Sequence, residues 1–185
     1  MITHHLNDRL LMAYSAGSLP EAFNLVVATH VSVCDDCRAR LASFDAVGGA
    51  LLEEDSAVMA SDSLATVMAR IKSGAPTAKP DGRPRDAVLP VPLVDAIGGG
   101  LDRVQWRAVG GGVRQAILQT SDKASARLLH IPAGAAVPDH GHQGMELTLV
   151  LQGAFRDEDA IFQRGDVEIA TEEMEHTPIA EPGQD

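Results

Sequence analysis

Through the first 73 residues apolar positions recur at intervals of three and four, the spacing of one helical face. Asn7-Asp8 followed by RLLMAYSA and Gly17 predicts a short helix with a polar start and a glycine stop. Ser18-Leu19-Pro20-Glu21 has the form of a capping box, with proline tolerated in the first turn, and opens a second helix through FNLVVATHVSV. Asp35 or Asp36 is placed to cap a third helix running from Asp36 to Glu54. A fourth is predicted over Ser61 to Ser73, closed by Gly74, with Leu64, Val67, Met68 and Ile71 on one face. Beyond residue 100 the period changes. VQWRAV, VRQAILQT, SARLLHI, ELTLVLQG and DVEIA are short, rich in Val, Ile and Leu, and separated by Gly, Pro and Asp turns. Such a series predicts an antiparallel sandwich or barrel.

Between these two regimes lies GAPTAKPDGRPRDAVLPVP, residues 74–92, which holds five of the ten prolines and little apolar content before Val88. That composition suits an extended, semi-rigid linker. The expected fold is therefore α + β in two domains: a small helical bundle over 1–73, a linker over 74–92 and an antiparallel β domain over 93–185.

Composition and charge narrow the function. The net charge is −11, with 5 basic and 9 acidic groups in residues 1–75 and 7 basic and 14 acidic groups in residues 98–185. This excludes a phosphate-binding surface and hence direct nucleic-acid binding, and favours a basic protein partner. No apolar run approaches the roughly 18–20 residues of a membrane span, and no signal peptide opens the chain, so a cytoplasmic protein without membrane contact is expected. Aromatics make up only 3% of residues, so the cores must be built from Leu, Val, Ile and Ala. Two cysteines exclude a disulfide framework and direct attention to metal or redox chemistry.

Those cysteines occur in THVSVCDDC, which sets His30, Cys34 and Cys37 in the pattern His-x3-Cys-x2-Cys. If the second helix runs through Val33, His30 and Cys34 share a face, and Cys37 swings back from a following turn. Tetrahedral zinc suits such donors but wants four of them, and His4 and His5 lie where a helical hairpin would return. A redox pair and two small buried residues are the competing readings. A thioredoxin-like pair, however, follows a strand rather than a helix. A helical domain this small also needs a staple, which a structural metal provides.

A second group stands in GAAVPDHGHQGMELTLVLQG: His140, His142 and Glu146 have one parity on an extended segment, and His176 follows some 30 residues later. Three imidazoles and one carboxylate suit zinc, iron, manganese or nickel. The spacing from Gly134 through His140, His142 and Glu146 to Gly153 resembles the first signature of the cupins, and Gly165-Asp166 with His176 resembles the second. Glu172 to Glu175 replace the usual Pro-x-Gly turn before the last histidine. The chain ends nine residues after His176, short of the further strand of a complete cupin barrel, so a C-terminally truncated barrel or an unusual closure is expected.

Taken together, a helical His/Cys domain, a proline-rich linker and a cupin resemble the ChrR-type zinc anti-sigma factors; LVVATHVSVCDDCRARL and GGGVRQAILQT look close to that family. The resemblance implies two zinc ions per chain. One would be held by His5, His30, Cys34 and Cys37, the other by His140, His142, Glu146 and His176. It further implies a non-enzymatic protein that binds and inhibits an extracytoplasmic-function sigma factor as a 1:1 heterodimer. The cupin domain would then be needed for release under oxidative stress from singlet oxygen. Leu10, Leu11, Phe23, Val26 and Val27 are candidates for the sigma contact or, more simply, for the core. The alternative is a dioxygenase-like cupin metalloenzyme carrying a regulatory zinc domain.

Overall fold

The structure is a computed structural model, and it describes residues 1–74, 86–137, 144–158, 160–171 and 177–183. Five helices come first: α1 (Asp8–Ser15), α2 (Glu21–Val33), α3 (Asp35–Glu54), α4 (Ser63–Lys72) and α5 (Val91–Ile97). Eight strands follow a short 3-10 turn: β1 (Arg107–Gly110), β2 (Val113–Thr120), β3 (Ser125–His130), β4 (Glu146–Leu149), β5 (Ala154–Arg156), β6 (Ile161–Gln163), β7 (Val167–Ala170) and β8 (Ile179–Ala180). They pair antiparallel in three groups, β1-β2-β3, β4-β7 and β6-β5-β8. Helices followed by antiparallel sheets are as expected. Most of the expected linker, residues 75–85, lies outside the described residues. No helix among the described residues is long and apolar enough to cross a membrane.

The helix ends show which local signals were used. Asn7 caps α1 by accepting from Leu10 N–H at 2.9 Å, and Gly17 takes φ +64° just after the helix, which a side chain would resist. Ser18 does not cap α2. Its hydroxyl donates to the Ala13 carbonyl at 3.1 Å, finishing α1, and Pro20 is the N-cap of α2 without a side-chain bond. Nor do Asp35 and Asp36 cap α3; both lie in its first turn, where their charge suits the helix dipole, and the cap is Cys34. Helix α5 begins at Val91, inside the stretch expected as linker. Pro90 as N-cap and Pro92 in the first turn have no N–H to lose there. Its approach is fixed by Asp86, whose carboxylate accepts from the N–H groups of Val88, Leu89 and Leu101 at 2.8–2.9 Å. The Leu89 and Leu101 bonds chiefly, with that of Val88, hold this carboxyl below its usual range.

Both apolar cores mix helical and strand residues. In one, Leu6, Leu10, Leu11, Val27, Cys34 and Cys37 pack with Val167 of β7, and Leu147, Leu149 and Ile169 lie against them. In the other, Leu89, Leu93 and Val94 pack with Val104, Ala116 and Leu128, and Leu25 of α2 joins from the side. Helix α2 is thus the central element, touching α1 and α3 on one flank and α5, β2, β3 and β4 on the other. Leu10, Leu11 and Val27, candidates for a partner contact, are 3%, 0% and 0% exposed and are core.

Truncation of such a fully enclosed leucine removes its transfer energy and leaves a cavity. Leu11→Ala is expected to lower stability by about 2–5 kcal/mol in denaturant melts. Leu52→Ala, at a position 77% exposed on α3, should change it by no more than about 0.5 kcal/mol.

Candidate metal centre

Cys34 is shared by two helices. Its N–H donates to the His30 carbonyl at 2.9 Å, closing the last turn of α2, and its extended backbone (φ −111°, ψ 109°) then turns the chain into α3. The Cys34 sulfur accepts from the Cys37 N–H at 3.5 Å, so Cys37 sits in the first turn of α3 rather than in a loop. Both sulfurs therefore lie at the N-terminus of α3.

Four side chains converge there. One ligand atom from each of His5, His30, Cys34 and Cys37 lies within 4.8 Å of the others. His30 Nε2 is 3.2 Å from Cys37 Sγ; His5 Nδ1 is 3.3 Å from Cys34 Sγ and 3.8 Å from Cys37 Sγ. Zinc bonds of ordinary length in a tetrahedron set N···S edges at about 3.6 Å, which these separations bracket. The donor set of two sulfurs and two imidazoles is that of a closed structural zinc site, with no position left for substrate. Of the two histidines open in the sequence, His5 joins the group, whereas His4 turns away to Asp166, its Nδ1 3.4 Å from the carboxylate.

Electrostatics and hydrogen bonds prepare the same atoms. His30 is fully buried, and burial lowers its pKa against the opposing pull of the Gly165 carbonyl. A carbonyl only accepts, so the 2.9 Å contact of Nδ1 with Gly165 O puts the proton on Nδ1 and leaves the Nε2 lone pair facing Cys37. Burial also pushes the Cys37 thiol up to about 11, so a metal binding there must displace a proton. The Arg40 guanidinium lies 3.9 Å from Cys37 Sγ, donates to the Leu6 carbonyl at 2.8 Å and pairs with Asp8. His5 Nε2 is 3.8 Å from the Asp36 carboxylate, on the side of the ring away from the sulfurs. Arg40, Asp36, Gly165 and Asp166 carry no local sequence signal for this role, because each acts through the fold.

The second expected group is described only at Glu146, since His140, His142 and His176 lie outside the described residues. Glu146 opens β4, and its Oε1 accepts from the Thr148 hydroxyl at 3.3 Å. Thr148 pairs with Glu168 of β7, so a second carboxylate, only 4% exposed, shares the Glu146 face of this strand pair. Sequence reasoning passed over Glu168; alternation within DVEIA, opposite ELTL, was the available signal.

Comparison with known proteins adds identity to this geometry. The family described as the ChrR cupin-like domain matches residues 96–185. A relative from Cereibacter sphaeroides, named anti-sigma-E factor ChrR, is 59% identical over 189 residues, covering 100% of this chain and 86% of the relative. The crystal structure of Rhodobacter sphaeroides SigE in complex with the anti-sigma ChrR contains a chain 57% identical to this one. That chain superposes with a TM-score of 0.88, over 100% of this chain and 96% of its own length. Identity of this order along the whole length, joined to the helical His/Cys centre and the antiparallel sheets, makes the chain a member of the ChrR family of anti-sigma factors.

Proposed function

We propose that this chain is a cytoplasmic, non-catalytic anti-sigma factor of two domains. It binds one extracytoplasmic-function sigma factor through its helical half and releases it on oxidative stress through its β half. The observation that carries the reading is an apolar arm that stands exposed among the described residues. Helix α3 is packed at Cys37, Leu41 and Phe44, but from Asp45 onward every residue through Asp62 is exposed. No residue of α4 is buried, and Leu64, Val67, Met68 and Ile71 stand 70%, 52%, 43% and 66% exposed along one face. Val47, Leu51, Leu52 and Met59, before α4 in the chain, are also exposed, and Glu53, Glu54 and Asp55 stand among them in sequence. An isolated helix of ten residues is marginal in water, and an apolar stripe with acidic neighbours fits a partner that is apolar and basic. Sigma factors have that chemistry, since they carry basic surfaces for DNA and polymerase. The SigE complex of the solved relative supports the same partner class.

His5, His30, Cys34 and Cys37 would hold one zinc ion. Bound there, it supplies a divalent cross-link among the N-terminal segment, α2 and α3. Leu6, Leu10 and Leu11 then pack around the cross-linked cysteines and fix where the α3 arm leaves the body. His140, His142, Glu146 and His176 would hold a second zinc inside a closed cupin barrel, a reading that rests on their spacing and on the family relationship. Glu168 brings a further buried carboxylate to that face.

Metal analysis of the purified chain is expected to give two zinc ions, falling to one in Cys37→Ala, which should also fail to co-purify with the sigma factor encoded beside it. A Cys37→Ala protein that kept both metal and partner would sink the reading. On the arm, L64E/I71E is expected to weaken sigma binding at least tenfold in calorimetry while leaving the thermal midpoint unchanged, because both side chains face solvent. Glu146→Ala should still bind and inhibit the sigma factor but retain it after singlet-oxygen exposure; normal release in a transcription assay would remove the β half from the sensing step.

A further inference from the structure

The metal centre is not held by helices alone. The turn between β6 and β7, Gln163 to Val167, reaches one of its four side chains, His30, and the backbone just before another, His5, from the β half. Gly165 accepts from His30 Nδ1 at 2.9 Å across 135 residues of sequence. Asp166, 0% exposed, accepts with one oxygen from the N–H groups of Thr3 at 2.7 Å and His4 at 3.0 Å. Val167 N–H donates to the His4 carbonyl at 3.2 Å, so the residue before His5 is gripped at both its N–H and its C=O. The other Asp166 oxygen accepts from Gln163 N–H at 2.8 Å, which closes the turn on itself. Burial alone would favour the neutral acid, but the bonds from Gln163, His4 and Thr3 prevail and keep the carboxylate ionised. The turn is in turn fixed to the β sheet: Gly165 N–H donates to the Val150 carbonyl at 2.8 Å, and Val150 N–H to that of Asp166 at 3.1 Å. Val150 directly follows β4, the strand that Glu146 opens.

We propose that this turn is a positioning element of the helical metal centre, and that Asp166 is the positioning residue through which the β half sets how fast the metal is lost. The proposal rests on the reading that His5, His30, Cys34 and Cys37 hold zinc. A ligand histidine is oriented by the group on its other nitrogen, and removal of such outer partners commonly costs about 10–100-fold in metal affinity. Here one partner is a carbonyl of the β half, and the other histidine hangs from a segment that Asp166 pins. Any shift of β4 and its Val150 contacts is therefore passed by hydrogen bonds to the His30 ring and to the segment that carries His5.

The test uses the full chain loaded with zinc, or with cobalt for its ligand-field absorption, and follows metal transfer to a chromophoric chelator. Asp166→Ala is expected to lose zinc at least tenfold faster and to show a weakened, shifted cobalt band, with Asp166→Asn intermediate because its amide oxygen still accepts. Trp106, the one tryptophan, lies against the other core, so its fluorescence melt reports separately on the β half. Thr3→Pro removes the 2.7 Å N–H bond from the helical side and leaves the β half intact; it should also speed release, whereas Thr3→Ala, which keeps that N–H and loses only the long 3.5 Å hydroxyl bond to Asp166, should stay close to the parent. Parent-like release from Thr3→Pro, or from Asp166→Ala with an unchanged Trp106 melt, would overturn the proposal. Should Asp166→Ala fail to fold, Thr3→Pro decides. A parent chain without metal at this centre would instead defeat the zinc reading itself.

Discussion

Two thiols and two imidazoles lie with ligand atoms within 4.8 Å of one another, and three of the four residues, His30, Cys34 and Cys37, are buried, a polar grouping that hydrophobic packing alone cannot justify. Without metal, burial pushes the Cys37 thiol up and lowers the His30 imidazole, so these two groups rest uncharged. A divalent cation held there, as proposed, would turn the same atoms into a cross-link of the helical half. Around it Leu6, Leu10, Leu11 and Val27 are buried, and strand residues complete their cluster: Val167 within it, and Leu147, Leu149 and Ile169 against it. The helical half is therefore organised around its ligands, and the leucines serve to hold the ligand-bearing segments together.

This arrangement divides α3 into two halves with opposite duties. Its first turns belong to the core, through Cys37, Leu41 and Phe44; its last turns are exposed, no residue of α4 is buried, and this is the surface proposed for the partner. Helix rigidity joins them, since 20 residues span about 30 Å without a break. Anchorage at one end and recognition at the other suit an inhibitor that must present a long apolar surface while remaining folded alone.

The sequence announced what local spacing can announce. His30 and Cys34 stand four apart, so their shared helical face was legible, as was the stripe Leu64, Val67, Met68 and Ile71. The cap of α3 was not: Asp35 and Asp36 are better cap residues by type, but the sulfur of Cys34 occupies that place because the centre requires it there. Helix α5 was hidden by Pro90 and Pro92, which signal a linker by composition and a helix start by position. Strands β5, β6 and β8 are 3, 3 and 2 residues long, too short for alternation to register. In the sequence Asp166 stands out only in the Gly165-Asp166 pair that resembles the second cupin signature, since its partners Thr3 and His4 are more than 160 residues away. Of the second ligand group only Glu146 falls among the described residues, and its face proved to hold Glu168 as well.

Cys34 ends one helix and begins the next, leaving no spare residue at the bend between them. A helix advances about 100° per residue, so inserting or deleting a single residue between His30 and Cys37 would swing the α3 arm to a different compass bearing even if both sulfurs were recovered. Length variation among relatives should consequently accumulate beyond Phe44 or between α3 and α4, where nothing is packed, and vanish at this bend. The bend acts as a reading frame in three dimensions: it lets the arm lengthen or change its surface for a new partner while its direction is inherited intact.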